Sequence, residues 1–297
     1  MITVFGATGR VGRATVQQLA ARGIQVRAVV HRSAGNTELH EISEVVVADL
    51  HDPRAIANAV AGSDAVQVLC PIMPTLADPI GEAAIVMAAL AQGLRIAAPP
   101  AVLAISDYGA EIPSGTGITM ILHRLETILN EMLCQLTILR SAEHMHNWVR
   151  QIPLTLQTGV LASMHHPITK AFPTVDAHDV GAVAAELLLD LPTDRSSPRI
   201  IYVEGPRRYT ALDVANAITQ ISGRQVTALE LPREDWESVL AAGGASAASA
   251  KLVAQTFDAH NDGHIEAVTG IEIIQGGTDL ADSLALENHR IQQGLRA

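Results

Sequence analysis

The chain predicts the α/β class: a doubly wound parallel sheet covered by helices on both faces, with a smaller C-terminal mixed α/β lobe. Two observations carry this. An apolar run, Met1 to Phe5, passes at once into Gly6, Gly9 and Gly12, spaced G-x-x-G-x-x-G, and then into a helical pattern from Arg13 to Arg22. Strand-like and helix-like segments then alternate six times within about 140 residues, the pattern of strands joined by crossover helices.

A chain of 297 residues is long enough for one large domain, or for a nucleotide domain plus a smaller lobe. Its residues are 48% apolar but only 3% aromatic, so the core is built from Ala, Val, Leu and Ile and any substrate pocket is poor in rings. A formal charge of −11, with no block of Lys or Arg, argues against nucleic acid or an anionic membrane as the main partner. Cys70 and Cys134 lie in apolar runs without C-x-x-C or zinc spacing, which predicts reduced thiols and a cytoplasmic location. Met1 leads straight into the first strand, which predicts no secretory signal. The apolar stretch Ala83 to Leu94 is closed by Arg95 and is shorter than a bilayer requires.

The opening strand, glycine turn and helix form a Rossmann-type dinucleotide signature. Gly6 allows a tight exit from the strand, Gly9 a close approach of the pyrophosphate, and Gly12 close packing of helix on strand. The free N–H groups at the start of the helix favour an anion. Gly6, Thr8, Gly9, Arg10, Val11 and Gly12 are therefore expected to bind the cofactor. Gln25 to Val30 is a second strand, ending in His31-Arg32-Ser33. An acid here would select NAD(H) through the ribose hydroxyl, whereas an arginine pairs with a 2′-phosphate. Arg32 thus favours NADP(H) over NAD(H), with Arg10 and Arg13 able to serve the same phosphate.

Glu44 to Ala48 is a third strand, followed by Asp49 and Leu50 at the expected adenine end. Asp49 can accept from the adenine amine or serve as an ordinary loop aspartate. Asp52 and Pro53 start a helix through Val60. Strand four, Asp64 to Leu69, breaks at Cys70-Pro71-Ile72-Met73-Pro74, a stiff loop that puts Cys70 and Pro71 over the middle of the cofactor. A helix, Leu76 to Gln92, leads to strand five, Ala101 to Ile105. Ligands bind beyond the carboxyl ends of such strands, so Ser106 and Tyr108 fall on the reactive side. The helix Ile118 to Leu133 carries His123, Arg124 and Glu126. The sixth strand, Leu136 to Leu139, runs into a segment whose His144, His146 and Trp148 are expected to face substrate.

The dinucleotide domain is expected over 1–150 and the substrate or partner lobe over 151–297, with the helix 177–190 and the strand 199–204 returning to the first. Gln151 to Ala171 reads as short strands and turns. Asp176 caps a helix from Val180 to Leu189, Ile200 to Val203 is a strand, and Thr210 with Asp213 starts a helix to Ile221. Val226 to Leu231 and helices near Glu234 to Ala242, Ser246 to Ala259 and Thr278 to Ala285 complete the lobe.

With these landmarks the chain resembles the NmrA-like group of atypical short-chain dehydrogenases/reductases. The likeness rests on Gly6-Ala7-Thr8-Gly9-Arg10-Val11-Gly12, Ser106-Asp107-Tyr108-Gly109-Ala110, Leu139-Arg140-Ser141 with His144-Met145-His146-Asn147, and Asp176 to Ala184. Ser141 stands where the group usually has proline. Ordinary short-chain reductases use a Tyr-x-x-x-Lys pair, in which the lysine lowers the phenol's pKa. Here Ile112 stands four residues after Tyr108, and His123 is followed by Thr127. Some relatives use a lone lysine at the start of this helix; the chain has His123-Arg124 there.

The resemblance implies an NADPH-dependent reductase of a small carbonyl, quinone or conjugated alkene, with Tyr108 and His123 as proton-donor candidates. Missing the Tyr-x-x-x-Lys pair, the chain also admits an NADP(H)-binding redox sensor without turnover, or an isomerase that uses the cofactor transiently. A small-molecule substrate is the expected partner, and a homodimer is left open. No metal site is expected: the alternating histidines lack fixed ligand spacing, and the calcium-like loop after Asp258 has Thr269 where the ion needs a bidentate Glu. No G-x-S-x-G elbow surrounds Ser106.

Overall fold

The computed structural model describes residues 1–31, 37–191 and 197–292. In chain order the first half comprises β1 (Ile2–Phe5), α1 (Arg10–Ala21), β2 (Val26–Val30), α2 (Thr37–Ile42), β3 (Glu44–Val47), α3 (Pro53–Val60), β4 (Ala65–Val68), α4 (Pro79–Ala97), β5 (Ala101–Asp107), α5 (Thr119–Asn130) and β6 (Gln135–Ser141). The second half comprises β7 (Glu143–His144), a 3-10 segment (Met145–Gln151), α6 (Ile152–Thr158), β8 (Val160–Ser163), β9 (Thr174–Val175), α7 (Ala177–Leu189), β10 (Arg199–Glu204), α8 (Ala211–Ser222), β11 (Thr227–Glu230), α9 (Trp236–Ala242), α10 (Ala247–Asn261), β12 (Ile273–Gln275) and α11 (Leu280–Gln292).

Eight strands form one sheet in the order β12-β10-β6-β5-β4-β1-β2-β3, and every pairing is parallel. A parallel strand buried on both faces reads as an unbroken apolar run, as Val102-Leu103-Ala104-Ile105 does. Side-chain alternation then divides that run between two layers. Leu103 and Ile105 join the core under α1 and α7, while Val102 and Ala104 join the core under α3, α4 and α5. The order of strands reverses between β1 and β4, which opens a crevice at their carboxyl ends.

The helix starts follow from their caps. Asp52 accepts from Arg54 N–H ahead of Pro53, Asp78 from Gly81 N–H, and Asp176 from His178 N–H. Thr210 and Asp213 form the reciprocal box expected at the start of α8. On length and composition α4 could cross a bilayer; in this fold its Ala83, Met87, Leu90 and Leu94 are buried against the sheet and α3.

Residues 151–171 depart from the expectation of strands and turns: the chain runs from the 3-10 segment through Pro153 into α6 before β8 begins. A seven-residue helix without a side-chain cap leaves little periodic signal. For the same reason α2 and the three-residue edge strand β12 escape detection.

The 3-10 segment, α6, β8, β11, α8 and α11 enclose an apolar cluster around Met145, Trp148, Phe172 and Tyr209. Helix α10 ties this half to the crevice at several points. Ser246 N–H donates to Pro74 in the loop after β4. Thr256 Oγ1 accepts from Ile118 N–H at 2.9 Å and donates to Thr116 O at 3.0 Å in the loop after β5. Asn261 bonds both His166 N–H and Met164 O.

Candidate cofactor and substrate site

The glycine loop leaves β1 at the crevice. Gly6 has φ +68°, and a Cβ there would meet Leu69 Cδ2 at 2.5 Å. A Cβ on Gly12 would overlap the Gly6 carbonyl. By contrast, a Cβ on Gly9 would meet only Gly6 O, at 3.3 Å, and Gly9 is exposed. Gly6 and Gly12 are therefore required by the protein's own packing, whereas Gly9 faces outward over the amino end of α1. Arg13 N–H is the donor that closes the first turn onto Gly9 O. The N–H groups of Arg10, Val11 and Gly12 precede it at the positive end of the helix, so the cradle fits a diphosphate.

Of the arginines expected at a 2′-phosphate, Arg32 lies outside the described residues. Arg13 pairs with Glu38 at the surface. Arg10 is turned to Glu287 of α11, at 2.9 Å from Nε and 2.8 Å from Nη2. At the adenine end Asp49 is exposed and accepts from both His51 N–H and the His51 ring, whose other nitrogen reaches Glu82 at 2.7 Å. The backbone and ring bonds of His51 hold the Asp49 carboxyl below its ordinary range. Leu50 packs on the apolar layer under α3 and α4.

Several expected contacts prove to be spent inside the protein. Cys70 is 6% exposed with Sγ directed at Pro71 O and Ala83 O, and burial pushes its thiol up to about 12. Pro71 and Ile72 are half-buried in that loop. Ser106 is buried and donates to Glu126 of α5 at 2.5 Å. Glu126 also takes a two-pronged bond from Arg140, and Arg140 reaches Glu111 and the Tyr202 hydroxyl, each at 2.8 Å. In this chain the space between β5 and α5 is filled by a buried ion-pair network.

The two proton-donor candidates separate. Tyr108 is fully buried and donates its hydroxyl to Glu204 Oε1 at 2.8 Å, where Arg208 also binds. Burial and the Glu204 carboxylate push its pKa up, so the phenol is a core group and not an accessible acid. His123 is half-buried, with Nδ1 at 2.7 Å from Ala110 O; that bond assigns the proton to Nδ1 and leaves Nε2 to accept.

His144 and His146 lie together, ring centroids 5.1 Å apart. Burial lowers both, His146 to about 2 with the charges of His144, Arg10 and Arg150 adding to it. His146 Nδ1 and Trp148 Nε1 are buried polar atoms without a hydrogen-bond partner. Trp148 belongs to the cluster under α11 and stacks near His165 and Phe172. No group of three or more metal-capable side chains converges among the described residues.

Two carboxylates at the crevice, Asp107 and Glu143, are not among the expected site residues. Asp107 ends β5, in register with Ser141 of β6. Glu143 follows two residues later, its Oε2 at 2.8 Å from His165 Nε2. Asp107 is half-buried; that burial and the nearby Glu143 and Glu111 push its carboxyl up to about 7 against the pull of the Tyr108 N–H. Glu143 moves the other way. Burial opposes its ionisation, but His165, His260 and Asn147 outweigh burial and hold it below the ordinary range.

The fold and the glycine cradle together define a dinucleotide-binding α/β protein. The model of the NmrA-like family matches residues 1–276, and the chain belongs to that family. It is 29% identical over 231 residues to a (4-alkanoyl-5-oxo-2,5-dihydrofuran-3-yl)methyl phosphate reductase of Streptomyces griseus, covering 78% of this chain and 77% of that one. It is 25% identical over 243 residues to an NAD(P)H azoreductase of Xenophilus azovorans, covering 81% and 80%. In fold it is similar to the NADPH-dependent quinone oxidoreductase of Escherichia coli complexed with NADPH. That match has a TM-score of 0.77 and 20% identity, covering 96% of this chain and 99% of that one.

Proposed function

We propose that the protein is an NADPH-dependent reductase of a small carbonyl, quinone or conjugated alkene. The observation that carries this reading is the cradle of Gly6, Gly9 and Gly12 at the point where the strand order reverses, in a chain whose two curated relatives are both named as reductases. The backbone of residues 8–12 would hold the diphosphate, and Asp49 and Leu50 would flank the adenine. Pro71 would lie along the middle of the cofactor, with His144 and His146 at the substrate side.

The reduced nicotinamide supplies hydride chemistry when bound. The protein's part is to orient the reactants, exclude water and deliver a proton. The half-buried pair His144 and His146, each disfavoured as a cation by burial, presents neutral imidazoles, suited to an uncharged substrate. We place the protein in the cytoplasm, where the buried thiols of Cys70 and Cys134 would stay reduced.

The test is a calorimetric titration with NADPH, NADP⁺, NADH and NAD⁺, followed by NADPH oxidation over quinones, enals, ketones and azo dyes. Preferential NADP(H) binding with turnover is the expected result. Binding without turnover would move the reading to a redox sensor, and no binding would reduce the glycine loop to a structural turn.

A further inference from the structure

We propose that Asp107, at the carboxyl end of β5, is the proton donor of the reduction, and that Glu143 beside it, held in place by His165, is a positioning carboxylate. This rests on the reductase reading above. Three structural facts lead to it.

The first is position. In β5 the side chains at 102, 104 and 106 face α5, where Ser106 and Arg140 are locked to Glu126. Asp107 has the opposite parity and faces the α1 and α7 side, at the register position opposite Ser141. It therefore sits at the carboxyl rim of the sheet, where ligands of such folds bind, one strand away from the glycine loop's neighbour β4.

The second is bonding. Asp107 Oδ1 accepts from the N–H of Tyr108 at 2.9 Å, and no arginine or lysine pairs with the carboxyl among the described ion pairs. The second oxygen is left to carry a proton. Glu143, by contrast, is held by His165 Nε2, and His165 is itself fixed by stacking on Phe172 with ring centroids 3.6 Å apart.

The third is electrostatics. The titratable groups facing Asp107 are the carboxylates of Glu111 and Glu143; those facing Glu143 are His165, His260 and His144. Two neighbouring carboxyls are thus pushed in opposite directions, and such a split assigns one as acid and the other as permanent anion. Asp107, at about 7, matches the working pH at which a general acid is most effective.

The substrate accepts hydride, with its two electrons, from the reduced dinucleotide. The displaced electron pair, on oxygen, nitrogen or the α-carbon, takes the proton from the Asp107 carboxyl. The carboxylate left behind is reprotonated from solvent.

The test combines spectroscopy with kinetics on the full chain. Infrared spectra at pH 6 should show a protonated-carboxyl band that is absent from Asp107→Asn, and in Glu143→Gln its titration midpoint should move to lower pH. With any substrate the wild type reduces, kcat should fall as pH rises through about 7. Asp107→Asn should lose at least about 100-fold and lose that alkaline limb. A band that persists in Asp107→Asn, or an alkaline limb retained there and lost in His123→Ala, would overturn the proposal. Wild-type protein that oxidises NADPH with no substrate fails the reductase reading instead, and the donor role falls with it.

Discussion

The guanidinium of Arg10, in the first turn of α1, is held by the Glu287 carboxylate of α11 at 2.9 and 2.8 Å. The last described helix thereby fastens the cofactor loop, and Glu287, only 4% exposed, also receives Arg290. Removing that carboxylate leaves two cations facing each other across a part-buried gap. Glu287→Gln should cost about 1–3 kcal/mol of stability, read as a fall in melting temperature of several degrees. Because Arg10 is released beside the diphosphate cradle, NADPH should restore more of that loss than it adds to the wild type. An unchanged melting temperature would mean that the pair contributes nothing.

Gly9 and Gly12 differ in what an added methyl would meet. Gly12→Ala would drive Cβ into the Gly6 carbonyl, so the loop must shift; both folding yield and cofactor binding should fall. Gly9→Ala makes one tight contact, 3.3 Å to Gly6 O, which a shift of a few tenths of an ångström relieves, and otherwise obstructs only the outer side of the cradle. It should leave the melting temperature within about a degree while weakening NADPH at least tenfold, about 1.4 kcal/mol. Calorimetry on the two variants separates a ligand-facing glycine from a packing one, and equal affinity in Gly9→Ala would place the diphosphate elsewhere.

Tyr108→Phe tests the reassignment of that residue to the core. The hydroxyl is one of the groups satisfying Glu204, which keeps Arg208 when the phenol is lost. A loss of about 1–2 kcal/mol in denaturant unfolding is expected, with kcat for the identified substrate changed less than threefold. A hundredfold fall in kcat without a change in stability would return Tyr108 to the reaction.

Asp107 gives stability a pH signature of definite sign. Its folded value, about 7, lies above the ordinary 3.8. The folded state therefore binds a proton that the unfolded chain has released. The stability from that proton is complete below about pH 4 and is lost as pH rises to about 7, beyond which the loss levels off. Asp107→Asn cannot release a proton, so relative to it the wild type should lose stability between those limits. Melting curves from pH 4 to 8 that run parallel for the two proteins would contradict the shift.

The glycine loop, its helix and the sheet were legible because each is written locally. Glycines at fixed spacing, Asp-Pro and Thr-x-x-Asp caps, and unbroken apolar runs all act within a few residues. The chemistry was less so, because it depends on which way a side chain points at the end of a strand. Strand β5 continues to Asp107 only because β6 pairs with it as far as Ser141, and that register sends Ser106 to α5 and Asp107 to the opposite face. Tyr108 and Asp107 are neighbours in sequence, yet one is sealed in the core and the other stands at the rim. Glu204, Glu126 and Glu287, which hold Tyr108, Ser106 and Arg10, lie 96, 20 and 277 residues from them, beyond the reach of any local pattern.

Gly181 of α7 touches α1 so closely that a Cβ there would meet Ala14 Cβ at 2.5 Å. The glycine loop and α1 leave the ribosome well before the helix that clamps them, which is finished only at Leu189. A nascent chain stopped near residue 150 carries β1 to β6 with one face missing α7 and with β6 lacking β10 as its neighbour. The cofactor cradle thus precedes its own clamp in order of translation and is among the last parts to become rigid.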